Sequence, residues 1–310
     1  MKLIVSGYGS DIDSLSLFDL DLENYFVNIK DSLILNQASY VISYKEHNKT
    51  YVITYTKEPL KLVSYYIFRN KFKRIDEINV PYLSLTHLLY NKKEHILFGC
   101  SYKDGMYLKL NINDGYFSNL ICRENDKPSL CHCVIGIDKY KEVGIIDIKN
   151  DIINIYDYDL NYKRSINLPK EVGPRHGIFH SNKLYVITEY SNEIYVIDYK
   201  KNKILQNIST LSFPVKSYGA TLFILNDKLY ASNRGEESIA VFNMDEKGLL
   251  QLDHAMPCYG NHPRHMVLSK DNKYIISCNK NSNTVTVIDI ESEKCVLTFD
   301  YFEPSGVANV

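Results

Sequence analysis

The stretch "GPRHGIFHSNKLYVITEYSNEIYVIDY", residues 173–199, contains three short apolar runs separated by two polar turns. The runs are rich in Tyr, Ile and Val, which favour strands, and the Ser-Asn pairs at both interruptions favour turns. The stretch therefore predicts three consecutive antiparallel strands. Whether Arg175 and His176 belong to an isolated loop or to a repeated unit depends on the rest of the chain.

The same pattern recurs along the sequence. Residues 218–245 and 261–290 repeat it closely, and weaker copies begin at Gln37, Val80 and Ser129. The matching positions, 41 to 49 residues apart, are Ala38, Pro81, Leu130, Pro174, Gly219, Pro263 and Pro304. Periods of about 40 to 50 residues with several strands per unit indicate a β-propeller. Seven matching positions predict seven blades.

The last copy is incomplete and predicts how the ring closes. Residues 304–310 supply one strand, and the amino-terminal segments 2–8, 14–22 and 25–35 supply three more. We expect these four strands to form one composite blade, which removes the free sheet edges. The sequence thus predicts a single all-β domain over residues 1–310, a seven-bladed β-propeller with four antiparallel strands per blade.

The composition argues against several classes of partner. The net charge of −1 gives no basic field for nucleic acid. No stretch approaches the ~20 apolar residues that cross a bilayer, and the amino terminus lacks a signal-peptide pattern. Seven scattered cysteines are typical of a reducing compartment. We expect a cytoplasmic protein that binds neither nucleic acid nor membrane, and the oligomeric state stays open.

Three motifs carry a resemblance to a known family. They are Gly173-Pro174-Arg175-His176, Ser232-Asn233-Arg234-Gly235 followed by "SIAVF", and His262-Pro263-Arg264-His265. Together they resemble the lactonase family of seven-bladed propellers, which includes bacterial 6-phosphogluconolactonases and fungal carboxymuconate cyclases. The resemblance is clear from about Leu130 onward. The chain departs from the family at Ala220-Thr221, where Ala-Glu is usual, and at Tyr82-Leu83, where Cys-His is frequent.

Polar residues are expected at one mouth of the central channel, where the first strands begin and the second strands end. The candidates are His132, Asp147, Arg175, His176, Glu189, Arg234, Arg264, His265 and Lys280. They belong to the blades after Leu130, whereas the earlier blades carry Ser, Tyr and Leu at matching positions. A one-sided cluster suits a small anionic ligand, because guanidinium groups bind carboxylate and phosphate in a bidentate manner.

Each candidate has a functional and a structural interpretation. Arg175 is predicted to bind an oxyanion or carboxylate, and His132 or Glu189 to activate water. Arg234, Arg264 and Lys280 are predicted to hold a phosphate, and the remaining candidates, His176, His265 and Asp147, to complete the substrate-binding set. The structural alternatives are a salt bridge from Arg175 to Glu189 or Asp147 and hydrogen bonds from the histidines between blades.

No cofactor or metal is expected. In Cys131-His132-Cys133, strand alternation is predicted to place both thiols on one face and the imidazole on the other. The spacing is also shorter than that of the usual zinc-binding cysteine pairs. The sequence contains no Gly-rich phosphate loop and no nucleophile elbow.

The resemblance implies a metal-independent hydrolase of a sugar lactone, such as 6-phosphogluconolactone, with its site at one mouth of the channel. The expected partner is a small anionic sugar lactone or carboxylate. Two alternatives stay open at this point. One is a cycloisomerase of a carboxylated muconate, which needs the same arginines. The other is a non-catalytic binding or scaffold module, because this fold hosts many functions.

Overall fold

A computed structural model describes residues 1–81, 84–125 and 127–310. These residues form seven antiparallel sheets of four strands each. Strands are numbered β1 to β28 in chain order, and the sheets are called blades 1 to 7. Blade 1 consists of β28 (Pro304–Asn309), β1 (Lys2–Gly7), β2 (Asp13–Asp21) and β3 (Phe26–Ile34).

The other blades each use four consecutive strands. Blade 2 consists of β4 (Val41–Glu46), β5 (Lys49–Thr56), β6 (Lys61–Phe68) and β7 (Lys71–Asn79). Blade 3 consists of β8 (Leu85–Asn91), β9 (Ile96–Ser101), β10 (Met106–Asn113) and β11 (Tyr116–Glu124). Blade 4 consists of β12 (Cys131–Ile137), β13 (Glu142–Asp147), β14 (Ile152–Asp157) and β15 (Tyr162–Asn167).

The carboxyl-terminal half continues in the same order. Blade 5 consists of β16 (Pro174–His180), β17 (Lys183–Thr188), β18 (Glu193–Asp198) and β19 (Lys203–Ser209). Blade 6 consists of β20 (Tyr218–Leu225), β21 (Lys228–Arg234), β22 (Ser238–Met244) and β23 (Leu250–Pro257). Blade 7 consists of β24 (Pro263–Leu268), β25 (Tyr274–Asn279), β26 (Thr284–Asp289) and β27 (Cys295–Asp300).

The ring closes through the composite blade, as the sequence predicts. β28 pairs antiparallel with β1, so that Leu3 lies opposite Asn309 and Val5 opposite Val307. The first strand of every blade contacts the first strand of both neighbouring blades all round the ring. These seven innermost strands therefore surround a central channel.

The core is divided among the gaps between blades. Seven apolar clusters fill the seven gaps, and each takes residues from two adjacent sheets. Between blades 4 and 5, for example, Ile135 and Ile146 pack with Val186 and Ile197. Because both faces of a blade are covered, its middle strands are apolar on both sides, which explains their nearly continuous β-branched sequences.

Helical structure is minimal. Among the described residues the helical content is one 3₁₀ turn, Asp138–Tyr140, after β12. Within residues 1–81, 84–125 and 127–310 there is no helix with the length and apolar content that crossing a membrane requires.

Candidate active site

A β-bulge near the start of the innermost strand determines which side chains reach the channel. The extra residue of the bulge is Ser305, Thr86, His132, Arg175 or Arg264 in blades 1, 3, 4, 5 and 7. A bulge re-aims the inserted side chain. All five of these side chains line a narrow cavity on the channel axis, together with Ser39 and Tyr40 of blade 2. Blade 6 has a similar irregularity at Ala220-Thr221.

The bulges correct the predicted equivalences in blades 3 and 4. Pro174 pairs with Thr188 at the end of the second strand, and the residues that make this pairing in blades 3 and 4 are Leu85 and Cys131. The prediction that Pro81 and Leu130 match Pro174 was therefore wrong. His132 is the counterpart of Arg175 rather than of His176. Tyr82-Leu83, which were compared with Arg175-His176, lie outside the described residues.

The same bulge overturns the prediction that the two thiols share a face. Cys131 packs with Val134 in the gap between blades 3 and 4, whereas Cys133 packs with Ile135 between blades 4 and 5. The extra residue, His132, reverses the alternation of the strand at this point.

A second set of equivalent positions, the rim positions, lies where the second strand of each blade ends. The rim N–H in most blades donates to the carbonyl just before the innermost strand, as Glu189 does to Gly173 and Lys280 to His262. In blades 1 to 7 the rim residues are Tyr8, Lys57, Tyr102, Ile148, Glu189, Arg234 and Lys280. Asp147, which the sequence placed among the residues at the ends of the second strands, precedes the rim by one residue.

Glu189, Arg175 and Arg234 form a buried cluster at this mouth. The Oε2 atom of Glu189 lies 3.0 Å from Nε of Arg175 and 3.2 Å from Nη2 of Arg234. Burial opposes ionisation of Glu189, but the two guanidinium groups outweigh it and hold the pKa of the carboxyl below its usual value. The salt bridge foreseen as the structural alternative is therefore present.

Both arginines keep one nitrogen for a ligand. Nη1 of Arg175 donates to the carbonyl of Ala220, and Arg234 donates from Nε to Tyr218 and from Nη2 to Gly219. Nη2 of Arg175 and Nη1 of Arg234 have no polar partner among residues 1–81, 84–125 and 127–310. The backbone contacts fix the planes of the guanidinium groups, which leaves these two nitrogens positioned for an anion.

Blade 7 adds two more cations, which lie near an aromatic ring of blade 1. The guanidinium carbon of Arg264 and the Nζ of Lys280 lie 5.4 and 5.6 Å from the ring centre of Tyr8. Lys280 also pairs with Glu303 at 3.1 Å, whereas Arg264 makes no ion pair with a described residue. The mouth is therefore positively charged across blades 5 to 7.

His132 lines the axial cavity beside Arg175. Its side chain contacts the rings of Tyr102 and His176. Burial, reinforced by Arg175, lowers the pKa of His132 well below its usual value, so the imidazole is neutral at pH 7. Nδ1 is buried without a hydrogen-bond partner among the described residues.

The other predicted histidines link neighbouring blades. Nδ1 of His176 lies 3.2 Å from the hydroxyl of Thr221, and Nδ1 of His265 accepts the N–H of Val307. Burial lowers the pKa of His265 to about 3. The sequence missed an equivalent residue, His87, whose Nδ1 accepts the N–H of Val134 in the next blade. Near the channel axis, His87 and His265 thus each accept a main-chain N–H of the next blade, and His176 contacts the side chain of Thr221 in the next blade.

Asp147 lies apart from the charged cluster. Its buried carboxylate accepts the N–H groups of Leu130 and Lys149 at 3.0 and 3.1 Å and the amide of Asn150 at 2.6 Å. These bonds stabilise the turn after β13. The structure therefore does not bring Asp147 together with the arginines.

Among residues 1–81, 84–125 and 127–310, one group has the chemistry to hold a metal. The candidate ligand atoms of His87, Cys133 and His176 lie within 4.8 Å of one another deep in the channel. Each side chain already has a protein partner, since Cys133 contacts the carbonyl of Val134 and both imidazoles are engaged as described. One of its members, His176, also lines the axial cavity that contains Arg175.

Rim residues of the amino-terminal blades were also missed. Tyr8 and Lys57 occupy rim positions in blades 1 and 2, and Lys103 follows the rim residue of blade 3. The composite blade hid Tyr8, because its rim position falls near the amino terminus, far from the repeat motifs. The composite blade itself was predicted, with residues 2–8 as one of its strands, so counting along that strand would have revealed Tyr8.

Comparisons with known proteins place these features in context. The family model described as "Lactonase, 7-bladed beta-propeller" matches residues 2–304. A 6-phosphogluconolactonase from Formosa agariphila is 31% identical over 168 residues, 48% of each chain. A 6-phosphogluconolactonase from Bacillus subtilis is 29% identical over 174 residues, 52% of this chain and 50% of the relative. The chain thus spans about half the length of these relatives.

Solved structures agree on the fold. A periplasmic gluconolactonase from Pseudomonas aeruginosa superposes with a TM-score of 0.86 and 18% identity, covering 99% of this chain and 98% of the other. A protein from Lactobacillus plantarum gives the same TM-score and identity and covers 99% of both chains. At this identity the likeness concerns the architecture alone.

Proposed function

The chain belongs to the lactonase family of seven-bladed β-propellers, and we propose that it hydrolyses a sugar lactone, such as 6-phosphogluconolactone, at the arginine-rich mouth of its channel and without a metal. The names of the relatives from Formosa agariphila and Bacillus subtilis support this substrate class. We also propose that the protein acts in the cytoplasm, on the basis of its scattered cysteines.

The observation that carries the proposal is the pair of buried guanidinium groups held by one carboxylate. Side-chain exposure is 2% for Arg175 and 6% for Arg234, and both face the 20% exposed carboxylate of Glu189. Two buried cations with one counter-ion leave a net positive charge at the mouth. An uncompensated charge in a low-dielectric site attracts an anion or a developing oxyanion strongly.

Lactone hydrolysis places its charge where these nitrogens point. Water attacks the ring carbonyl and gives a tetrahedral oxyanion, which the free nitrogens of Arg175 and Arg234 would stabilise. The carbon–oxygen bond of the ring then breaks, and the ring oxygen takes a proton as the hydroxyl of the product. The product is a hydroxy acid whose carboxylate stays paired with the arginines until it is released.

We assign the role of general base to His132 rather than to Glu189. The pKa values of both groups are lowered, so the assignment rests on geometry: Oε2 of Glu189 is engaged by two guanidinium groups. His132 is the bulged residue of blade 4, lines the axial cavity and has a nitrogen with no protein partner among the described residues. Glu189 is then a positioning residue, because it orients both arginines.

Replacement of Arg175 tests the proposal. We expect Arg175→Ala to reduce the enzymatic rate above the spontaneous opening of 6-phosphogluconolactone by about 100-fold or more, the usual cost of removing an oxyanion donor. Arg175→Lys keeps the charge without the fork and should recover only part of the rate. Thermal unfolding checks that both variants are folded. An unchanged rate in folded Arg175→Ala would refute the assignment.

A second measurement addresses the metal and the alternative chemistry. Wild-type activity should survive treatment with EDTA, since no step uses a metal. Product analysis with a carboxylated muconate lactone distinguishes the cycloisomerase, which would interconvert the lactone and the open triacid without water. Turnover of that compound in preference to the sugar lactone would replace the proposed substrate class.

A further inference from the structure

We infer that a separate pocket at the same mouth, formed by blades 1 to 3, binds the phosphate of a phosphorylated sugar lactone. The pocket has a volume of about 220 Å³, and its lining includes Lys57 and Lys103 together with Tyr8, Ser39, Tyr55 and Ser84. This inference rests on the proposed lactonase function and identifies the part of the substrate that these blades recognise.

The pocket provides positive charge that no described residue neutralises in an ion pair. Lys57 and Lys103 make no ion pair with any described residue. The carboxylates that follow the two lysines in the chain make contacts with other residues: Asp104 accepts the hydroxyl of Ser101 at 2.8 Å, and Glu58 accepts the amide of Asn36 at 3.2 Å. Two free ammonium groups facing one small cavity favour a doubly charged ligand such as a phosphate monoester.

Two of the three cations assigned to phosphate from the sequence are engaged in ion pairs with protein carboxylates. Arg234 shares the carboxylate of Glu189, and Lys280 pairs with Glu303. Arg264 alone among those three has no ion pair with a described residue, and its guanidinium lies against Tyr8. The lysines of blades 2 and 3 are therefore better placed for a phosphate than the predicted set.

The pocket and the arginine cluster belong to one continuous mouth. Ser39 lines both the pocket and the axial cavity that contains Arg175 and His132. Tyr8 lines the pocket and carries Arg264 and Lys280 on its ring. A lactone whose carbonyl meets the arginines could thus extend its terminal phosphate across the mouth to the lysines.

The test compares phosphorylated and unphosphorylated ligands in lysine variants. We expect the double variant Lys57→Met/Lys103→Met to raise KM for 6-phosphogluconolactone about ten-fold, as expected for two partly exposed ion pairs. Its KM for glucono-δ-lactone should change less than two-fold. Lys57→Arg should retain the phosphate preference. Lys149→Met is the matched control, because Lys149 follows the rim residue of blade 4 as Lys103 follows that of blade 3.

A binding measurement separates this inference from the proposed reaction. Calorimetric titration with 6-phosphogluconate and gluconate needs no turnover, and wild type should bind the phosphorylated acid at least ten-fold more tightly. The double variant should lose this preference while its thermal midpoint stays unchanged. An equal preference in wild type and double variant would overturn the inference even if lactonase activity is confirmed. A lost preference without any lactonase activity would support the pocket and refute the reaction.

Discussion

Glu189 is the residue on which the candidate site depends most. One carboxylate oxygen faces two guanidinium groups that are almost completely buried. Without that charge, Arg175 and Arg234 would repel each other with no counter-ion in a low-dielectric site. The same carboxylate therefore stabilises the gap between blades 5 and 6 and sets the direction of both guanidinium groups.

We predict that Glu189→Gln lowers the free energy of unfolding by about 3–5 kcal/mol at pH 7, the range found when one partner of a buried ion pair is removed. Urea denaturation measures the change. Glu246→Gln, in the exposed turn before β23, is the control and should stay within about 0.5 kcal/mol of wild type. A loss equal to that of the control would mean that the cluster is solvated in solution.

The pH dependence of this effect has a defined sign. The groups around Glu189 are the guanidinium groups of Arg175, Arg234 and Arg264 and the phenols of Tyr102 and Tyr190. Because the pKa of Glu189 is lowered in the folded state, its contribution is complete above the unfolded pKa of about 4.3 and is lost as the pH falls through the folded value. The difference between wild type and Glu189→Gln should stay constant from pH 8 to 5.5 and shrink below pH 4.

At the scale of a strand, the bulges explain what the sequence could and could not predict. The strands and turns follow from local residue preferences, and Pro174, Pro263 and Pro304 mark the starts of three innermost strands correctly. Blades 3 and 4 start at Leu85 and Cys131 instead, where no proline marks the position. A bulge arises from how a strand meets its neighbours, so no local pattern revealed that His132 matches Arg175.

The close approach of blades 5 and 6 depends on a residue without a side chain. A Cβ atom on Gly219 would lie 2.2 Å from the carbonyl oxygen of Thr188 and 2.8 Å from Cγ1 of Ile187. We predict that Gly219→Ala forces the two blades apart and costs at least about 1–3 kcal/mol of unfolding free energy. It should also lower lactonase activity, because Thr188 and Gly219 flank the bond between Glu189 and Arg234.

The matched control for this substitution is Gly136→Ala, also in an innermost strand. There the nearest atom to the new Cβ is Cδ2 of Leu89 at 3.2 Å, the mobile end of a side chain. Its cost should be clearly smaller than that of Gly219→Ala. Similar costs for the two variants in thermal and urea unfolding would show that the gap between blades 5 and 6 is not the constraint.

At the scale of the whole molecule, the repeat made the architecture predictable and the active site only partly so. A period of 41 to 49 residues specifies blades, and an incomplete last copy specifies that the termini must share one. The uneven distribution of charged residues around the mouth does not follow the repeat. Charges at the rim come from single residues in each blade, such as Lys57 and Glu189. The role of each charge depends on which rim residues the closed ring brings close together.

Ring closure gives the last prediction. β28 is the innermost strand of blade 1, and five of its six residues are buried. Val310 donates its N–H to the carbonyl of Lys2 at 3.2 Å, so the two ends of the chain are adjacent. We expect a circular permutant with Val310 joined to Met1 by a short Gly/Ser linker, opened at the exposed Phe213-Pro214, to unfold within a few degrees of wild type.

A chain ending at Glu303 should behave differently. It leaves β1 with an unpaired inner edge and opens the ring between blades 7 and 1, so cooperative unfolding should be lost and the chain should aggregate. Calorimetry and near-ultraviolet circular dichroism compare the permutant and the truncated chain with wild type. A truncated chain with a wild-type midpoint would show that seven innermost strands are not needed. If the permutant fails to fold while the truncated chain folds, the stability depends on the loop at Phe213-Pro214 rather than on ring closure.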